Sequence, residues 1–461
     1  MSGIGSSGEV LERLRSALGS KVNFPGTVGY QGALATVFLT EAARRRPVCV
    51  VAPRTVEDVA TVLRIAAAAR VRVTVRGGGL SSGCVADNAV LLDLSRHLNT
   101  VRVDGERVIA GGGATMGGLA RALAPVNRTV PVGVTGLAGM GMATRGGIGY
   151  LTRSLGLTLD HLVEVELVVA TGDVVRLSDG SRGEDAELWW AVRGGAPFVG
   201  VVTSAVFRTH AVCPVRVDRA VLRPAALAAY FRIAPELPRH TSMSAVLGYS
   251  DLAPGEPVLF VYTVCASRDD RAIGRARAAA TAVAVSGGTA PLYRSEALGR
   301  YPDGLPEFAV PGASGAGARD SFFGKAVFTG PTLDAALAEA LADRMRAAPT
   351  RACRIDFQHT GGALGDVADE ATAFWGRTAE WSVPLNAIWD DATNTGVGPE
   401  WARDTLRTLA PHTTGVYNVE LRPGLPETAT ETRAAYGGNL TRLRALQHRY
   451  DPAGTLGPFR L

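Results

Sequence analysis

Three glycine-rich stretches hold most of what this chain could use for chemistry. The densest is Arg76-Gly77-Gly78-Gly79-Leu80-Ser81-Ser82-Gly83, at the end of an apolar run. Consecutive glycines let a backbone approach a ligand closely and present successive N–H groups to an anion, the physics of a pyrophosphate site; a glycine triplet by itself is also a common tight turn. The second stretch is Gly133, Gly136, Gly139, Gly141, Gly146, Gly147 and Gly149, a backbone path with few side chains in its way. The third, Arg193-Gly194-Gly195, precedes the strand-like VGVVTSAVFRTH. Three such loops in one half of the chain point to a nucleotide cofactor.

Two familiar explanations of these glycines fail. GLAGMGMATRGG follows no clear strand and has no acidic residue about twenty positions on, as a dinucleotide-binding βαβ unit requires. Gly79-Leu80-Ser81-Ser82-Gly83 matches the G-x-S-x-G nucleophile elbow, but that motif needs a helix after the serine, and CVADNAVLLDLS leads into a strand. Metal chemistry is not expected either. The five cysteines (49, 84, 213, 265 and 353) lie far apart with no CxxC, and the seven histidines form no HxxxH.

The bulk properties narrow the partners. Formal charge is +5, yet lysine occurs only at 21 and 325 and the arginines are scattered, Arg44-Arg45-Arg46 being the longest run. Nucleic-acid binders gather such charge on one face, so none is expected here. No apolar run is long enough to cross a bilayer, and the first twenty residues lack a charged start followed by an apolar core. With dispersed thiols, this predicts a soluble, unexported, cytoplasmic protein without a membrane partner. Oligomeric state is not legible.

The elements that must position the loops follow from periodicity. After a turn-rich opening, FPGTVGY, the segment PVCVVAP reads as a buried strand. Thr55-Val56-Glu57-Asp58 then caps a helix carrying Val59, Val62, Leu63 and Ala66 on one face. VRVTVRGGG, AVLLDLS, TVRVDGERVIAGGG and VEVELVVATGDVVRLS continue as strands, the last turning at Thr171-Gly172-Asp173. From about Pro214 the texture changes: strands VLFVYTVCA, CRIDFQHTGG and WSVPLNAIW alternate with helices such as 332 to 346. A last amphipathic helix, Asn439 to Tyr450, turns Leu440, Leu443 and Leu446 inward, with no readable docking partner. At 461 residues and 46% hydrophobic, the chain has the length of two or three packed units.

Taken in order, FPGTVGY, PVCVVAPRTVEDV, VTVRGGG, RGGIGYLTRSLGLTLDHL, ELWWAVRGG, VGVVTSAVFRTH, GGALGDVADEATAFWGR and YGGNLTRLRALQHRYDPAGTL resemble the vanillyl-alcohol-oxidase-type flavoproteins, and within them the berberine-bridge-enzyme-like oxidoreductases. The resemblance implies an α+β fold. A PCMH-type FAD-binding domain would span 1–213, a substrate domain with an antiparallel sheet and flanking helices 214–415, and a segment 416–461 would return to the first domain. It places FAD, if bound, against Arg76, Gly77, Gly78, Gly79, Leu80, Ser81, Gly146, Gly147 and Gly149.

The departures from the family are equally specific. Leu80 stands where a histidine usually bonds to the flavin, and residues 114 to 212 contain no cysteine for the second tether. Arg145 replaces a glycine, and Pro197 and Phe198 replace small residues of the third loop. The cofactor expectation is therefore no FAD or noncovalent FAD, with Arg145 crowding or capping its space. The family's base comes from the strand that here reads 380 to 389, where Pro384, Asn386 and Ile388 take no proton. Tyr417, Glu380, Asp356 and His359 are the catalytic candidates by type, with Asp390 in a neighbouring position. Trp189, Trp190, Phe374, Trp375, Trp381 and Trp389 are core aromatics by default and cavity lining otherwise.

Three functions are carried forward. The first is a natural-product tailoring enzyme that closes a ring without net redox change, as a cyclase holding a large apolar substrate in the old cavity. The alternative is an FAD-dependent oxidase or dehydrogenase with noncovalent FAD. The third is a binding protein without catalysis.

Overall fold

The computed structural model describes residues 4–212, 214–288, 290–301, 320–390, 396–457 and 460–461; Cys213, at the edge of the expected first domain, lies outside them. Three larger sheets, beside a two-stranded one of Arg128–Thr129 and His210–Ala211, organise the described residues. The first has the order Val22–Asn23, Cys49–Val51, Val90–Asp93, Val73–Arg76, its last three strands parallel. Parallel neighbours need a crossover, and helix Val56–Ala68 supplies it between Cys49–Val51 and Val73–Arg76. Its start is the expected capping box: Asp58 N–H donates to Thr55 Oγ1, and the Asp58 carboxylate accepts from Thr55 N–H. Val59, Val62, Leu63 and Ala66 are fully buried beneath it. The opening FPGTVGY is only half a turn. Thr27 caps a helix, Val28–Ala35, because its side chain accepts the Tyr30 amide, a signal that the glycines around it obscured.

The second sheet is antiparallel, in the order Val101–Asp104, Arg107–Gly111, Val201–Arg208, Leu162–Val168, Val174–Ser178. The third has eight antiparallel strands: Tyr293–Arg300, Pro214–Leu222, Pro257–Ala266, Thr241–Tyr249, Arg354–His359, Trp381–Asp390, Asp320–Thr329, Thr413–Val416. Helices Leu227–Ile233, Ala335–Arg346 and Val397–Leu409 cover one face of this sheet, through Tyr230, Leu341 and Trp401. Its other face meets the glycine-rich half: Ala326 and Phe328 share a core with Ile148, Leu157 and Leu159. Strand periodicity explains the division, since Val327, between them, belongs to the helix-covered core. The predicted helix at 332–346 begins at Ala335, with Asp334 as its N-cap, accepting the Leu337 amide at 2.8 Å. The terminal helix Leu440–Tyr450 docks on helix Glu184–Gly195, burying Leu443 in the core of Trp190 and Val192.

Candidate functional site

Between the glycine-rich half and the bare face of the large sheet runs a cleft of two lobes. The smaller, about 920 Å³, is lined by Leu94, Gly112, Ala196, Pro197, Phe198 and Val202, with Leu456 from the chain end. The larger, about 1370 Å³ counting its open mouth, reaches Phe38, Ile148, Phe322, Gln358, Asn386 and Tyr417. Val75, Gly77, Ser81, Cys84, Gly141 and Arg145 line both, so they form the waist.

One wall of the waist is the loop after strand Val73–Arg76. Gly78 is required there because its backbone touches the next glycine segment: a Cβ would stand 2.5 Å from Leu137 O and 2.8 Å from Gly139 N. Phe38 N–H donates to Gly79 O, but the amides of residues 77 to 82 donate to no protein acceptor among the described residues. Six free amides in sequence on a cleft wall suit an anion. Arg76 itself is turned away: it pairs with Asp93 at 3.1 Å and donates to Thr36 O, buried under the loop it supports. Burial pushes the Cys84 thiol up to about 12, so it is un-ionised near neutrality.

Arg145 lines the same waist. Its Nε donates to Gly141 O at 3.0 Å and its Nη1 to Asn418 O at 3.1 Å. These two bonds hold the side chain along the wall and leave Nη2 without a protein acceptor among the described residues. Arg145 thus lies at the junction of the two lobes, with cleft on either side of it. Pro197 lies in a short turn, Ala196–Phe198, that lines the smaller lobe. Gly146, Gly147 and Gly149 lie behind the cleft. Gly146 abuts Tyr417 and Phe374, Gly147 N–H donates to Tyr417 Oη at 2.9 Å, and Gly149 N–H donates to Thr152 Oγ1 at 2.8 Å.

The four catalytic candidates separate into three environments. Tyr417 reaches the larger lobe, but its oxygen is engaged by the Gly147 amide and burial pushes the phenol up to about 12. Glu380 and His359 lie together outside the cleft, with Arg153. Arg153 Nη1 meets Glu380 Oε1 at 2.7 Å and Thr360 O at 2.7 Å, and its Nη2 donates to Leu237 O at 2.6 Å. His359 Nδ1 accepts from Met243 N–H at 3.1 Å, which puts the ring proton on Nε2, 2.8 Å from Glu380 Oε1. Burial pushes His359 down to about 4. Asp356 sits just behind the larger lobe, held by Arg354 at 3.3 Å and by the Asn386 amide. Its Oδ1 has no partner, and burial pushes its carboxyl up. The Asp390 side chain lies outside the described residues.

None of the six expected aromatics lines the cleft. Trp189, Trp190, Trp381 and Trp389 are buried in the two large cores, Phe374 in a third, and Trp375 covers Gly437. Phe38, Phe322 and Tyr417 take that role. The residue that sequence reasoning missed is Glu420, a carboxylate in the larger lobe. It stands three positions after Tyr417 with no periodicity to mark it.

The site can be set beside known proteins. Residues 47–178 match the FAD binding domain family. An FAD-linked oxidoreductase of Dictyostelium discoideum is 25% identical over 420 residues, 88% of this chain and 86% of that protein. (R)-6-hydroxynicotine oxidase of Paenarthrobacter nicotinovorans is 39% identical over 151 residues, 32% of each chain, so this second match covers about a third of its relative. Among solved structures, BBE-like 1 of Physcomitrella patens superposes with a TM-score of 0.83 at 22% identity, over 97% of each chain. A chitooligosaccharide oxidase gives 0.80 at 18%, over 99% of this chain and 98% of the other.

Proposed function

We propose, for a chain that carries an FAD-binding domain and has the fold of the berberine-bridge-enzyme-like flavoproteins, that it holds FAD without a covalent bond and oxidises a largely apolar small molecule in the larger lobe. The waist carries this reading. Gly77, Ser81 and Arg145 line both lobes there, and the amides of residues 77 to 82 have no protein acceptor among the described residues, which suits the diphosphate at the middle of a dinucleotide with one lobe for each end. Leu80 offers no nitrogen to the flavin and the Cys84 thiol is held un-ionised, which supports holding by noncovalent contacts. When bound, FAD supplies a two-electron acceptor.

The protein's own residues do the rest. The amides of 77 to 82 and Arg145 fix the diphosphate, while Tyr417 and Asn418 brace the wall behind it through Gly147 and Arg145. Phe38, Leu39, Val134, Ile148, Phe322 and Val419 exclude water from the ligand. The visible absorption spectrum of the purified protein tests this. A flavin band that leaves the polypeptide on denaturation is expected; a colourless protein that takes up no added FAD overturns it.

A redox-neutral ring closure in the same lobe, the tailoring reaction of a cyclase, is the second reading. What favours it is the strand Trp381–Asp390, whose residue on the cavity is Asn386, unable to take a proton at neutral pH. Product mass under anaerobic conditions decides. An isomer of the substrate formed without FAD supports closure, and loss of two hydrogens supports oxidation.

A further inference from the structure

The floor of the larger lobe is the bare face of the eight-stranded sheet. Register places Gly324 opposite Asn386 and Asn386 opposite Arg354, a row across three adjacent strands. Glu420, at the end of the turn Asn418–Glu420, lays its carboxylate over that row: a Cβ at Gly324 would stand 3.0 Å from Glu420 Oε2. The same lobe is walled opposite by Gly77 to Ser82, Met142 and Ile148.

The other charged groups lining this lobe are engaged. Arg145 is fastened to Gly141 O and Asn418 O, Arg354 to Asp356, and Arg422 to Glu41 at 2.6 Å and Phe322 O at 3.0 Å. Glu420 is the one carboxylate among the described lining residues, and no hydrogen-bond donor reaches it among them. Burial pushes its carboxyl above the ordinary value. Arg422 beside it, Arg145 from the end of helix Met140–Ala143 and Lys325 from strand Asp320–Thr329 pull it back part of the way. An enclosed carboxylate without a donor is costly unless a ligand brings one.

We propose that Glu420 is the proton acceptor of this cavity, serving a ligand whose reacting carbon bears a neutral hydroxyl. The step rests on the oxidative reading above, which supplies FAD as oxidant. The O–H bond breaks and its proton goes to a Glu420 carboxylate oxygen. The C–H bond breaks with both electrons, which leave as hydride to FAD, and the oxygen's electron pair closes C=O. A hydroxyl is favoured over an ammonium because Arg422, Arg145 and, from further off, Lys325 already put positive charge around Glu420, which disfavours a further cation.

Two measurements test it. Esterification of the purified protein with a diazo compound, which attacks protonated carboxyls, is mapped by mass spectrometry from pH 4 to 8. Glu420 should keep its label at pH values where surface carboxylates have lost theirs; loss alongside them, or no labelling at any pH, overturns the proposal. The FAD-loaded protein is then mixed anaerobically with 1-phenylethanol and a series of larger aryl carbinols, with the matching amines as a second arm. Alcohols should bleach the flavin, and Glu420→Gln should slow bleaching by about 10² to 10⁴-fold and abolish the acid limb of its pH profile. Unchanged bleaching in the variant, bleaching by the amines alone, or none by any carbinol overturns it. A protein that takes up no FAD defeats the oxidative reading instead, and the labelling experiment still decides whether Glu420 is the raised, reachable carboxyl described.

Discussion

Glu380 and Glu420 both stand where the glycine-rich half meets the eight-stranded sheet, and their surroundings are opposite. Glu380 is closed in by Arg153 and His359, with the remaining Arg153 donors spent on the carbonyls of Thr241, Leu237 and Thr360. Glu420 lines the larger lobe, and among the described residues no donor reaches its carboxylate. The difference teaches how to tell a carboxylate that holds two layers together from one available for chemistry. The first has its lone pairs used by protein, and the second has them left for a ligand. By residue type the two were indistinguishable.

The largest expected effect breaks the closed side. Glu380→Gln leaves the nearly buried Arg153 guanidinium without its counter-charge, and urea unfolding should show a loss of about 3 to 5 kcal/mol. Glu420→Gln removes a carboxylate that burial already disfavours, so the same measurement should show no loss.

pH separates the two next. His359 is held near 4 when folded against about 6.5 when unfolded, so the folded chain binds fewer protons. The stability this contributes is complete above about pH 6.5 and is lost as pH falls toward 4, by up to about 1.4 kcal/mol per pH unit. His161, also pushed down to about 4, adds in the same direction. Glu420 has the opposite sign: its raised carboxyl makes the folded chain bind more protons, so acidification favours it. His359→Gln should flatten the slope of urea midpoint against pH between 6.5 and 4, whereas Glu420→Gln should leave that acid loss slightly steeper.

Two smaller effects sharpen the open side. Tyr417→Phe removes the acceptor of the buried Gly147 amide and should cost about 1 to 3 kcal/mol in urea unfolding. Arg145→Gln should weaken FAD about tenfold by calorimetry, and ADP equally, while leaving riboflavin unchanged; equal losses for all three would mean the substitution distorts the wall instead.

Much of the frame was legible because it repeats. The capping box at Thr55, the hairpin at Gly172 and the leucine stripe of the last helix are local patterns with periods of 2 or 3.6, and the structure keeps them. The Gly77-Gly78-Gly79 turn was legible for a related reason: at Gly78 a side chain would strike the backbone of Leu137 and Gly139. The placement of Arg145 was not. Its length suggested obstruction, and only the carbonyls of Gly141 and Asn418, 273 residues away in the second case, lay it along the wall.

By itself, then, the sequence determined the elements, the family likeness and the glycine loop that lines the cleft, because those depend on neighbours within a few residues. Which acid is open was decided by the tertiary structure alone. Glu380 is closed by Arg153, 227 positions away, and Glu420 is exposed to the cavity because Gly324, on another strand, leaves room for its carboxylate. A carboxylate's chemistry is set by the donors and dielectric around it, and those come from segments that only folding brings together.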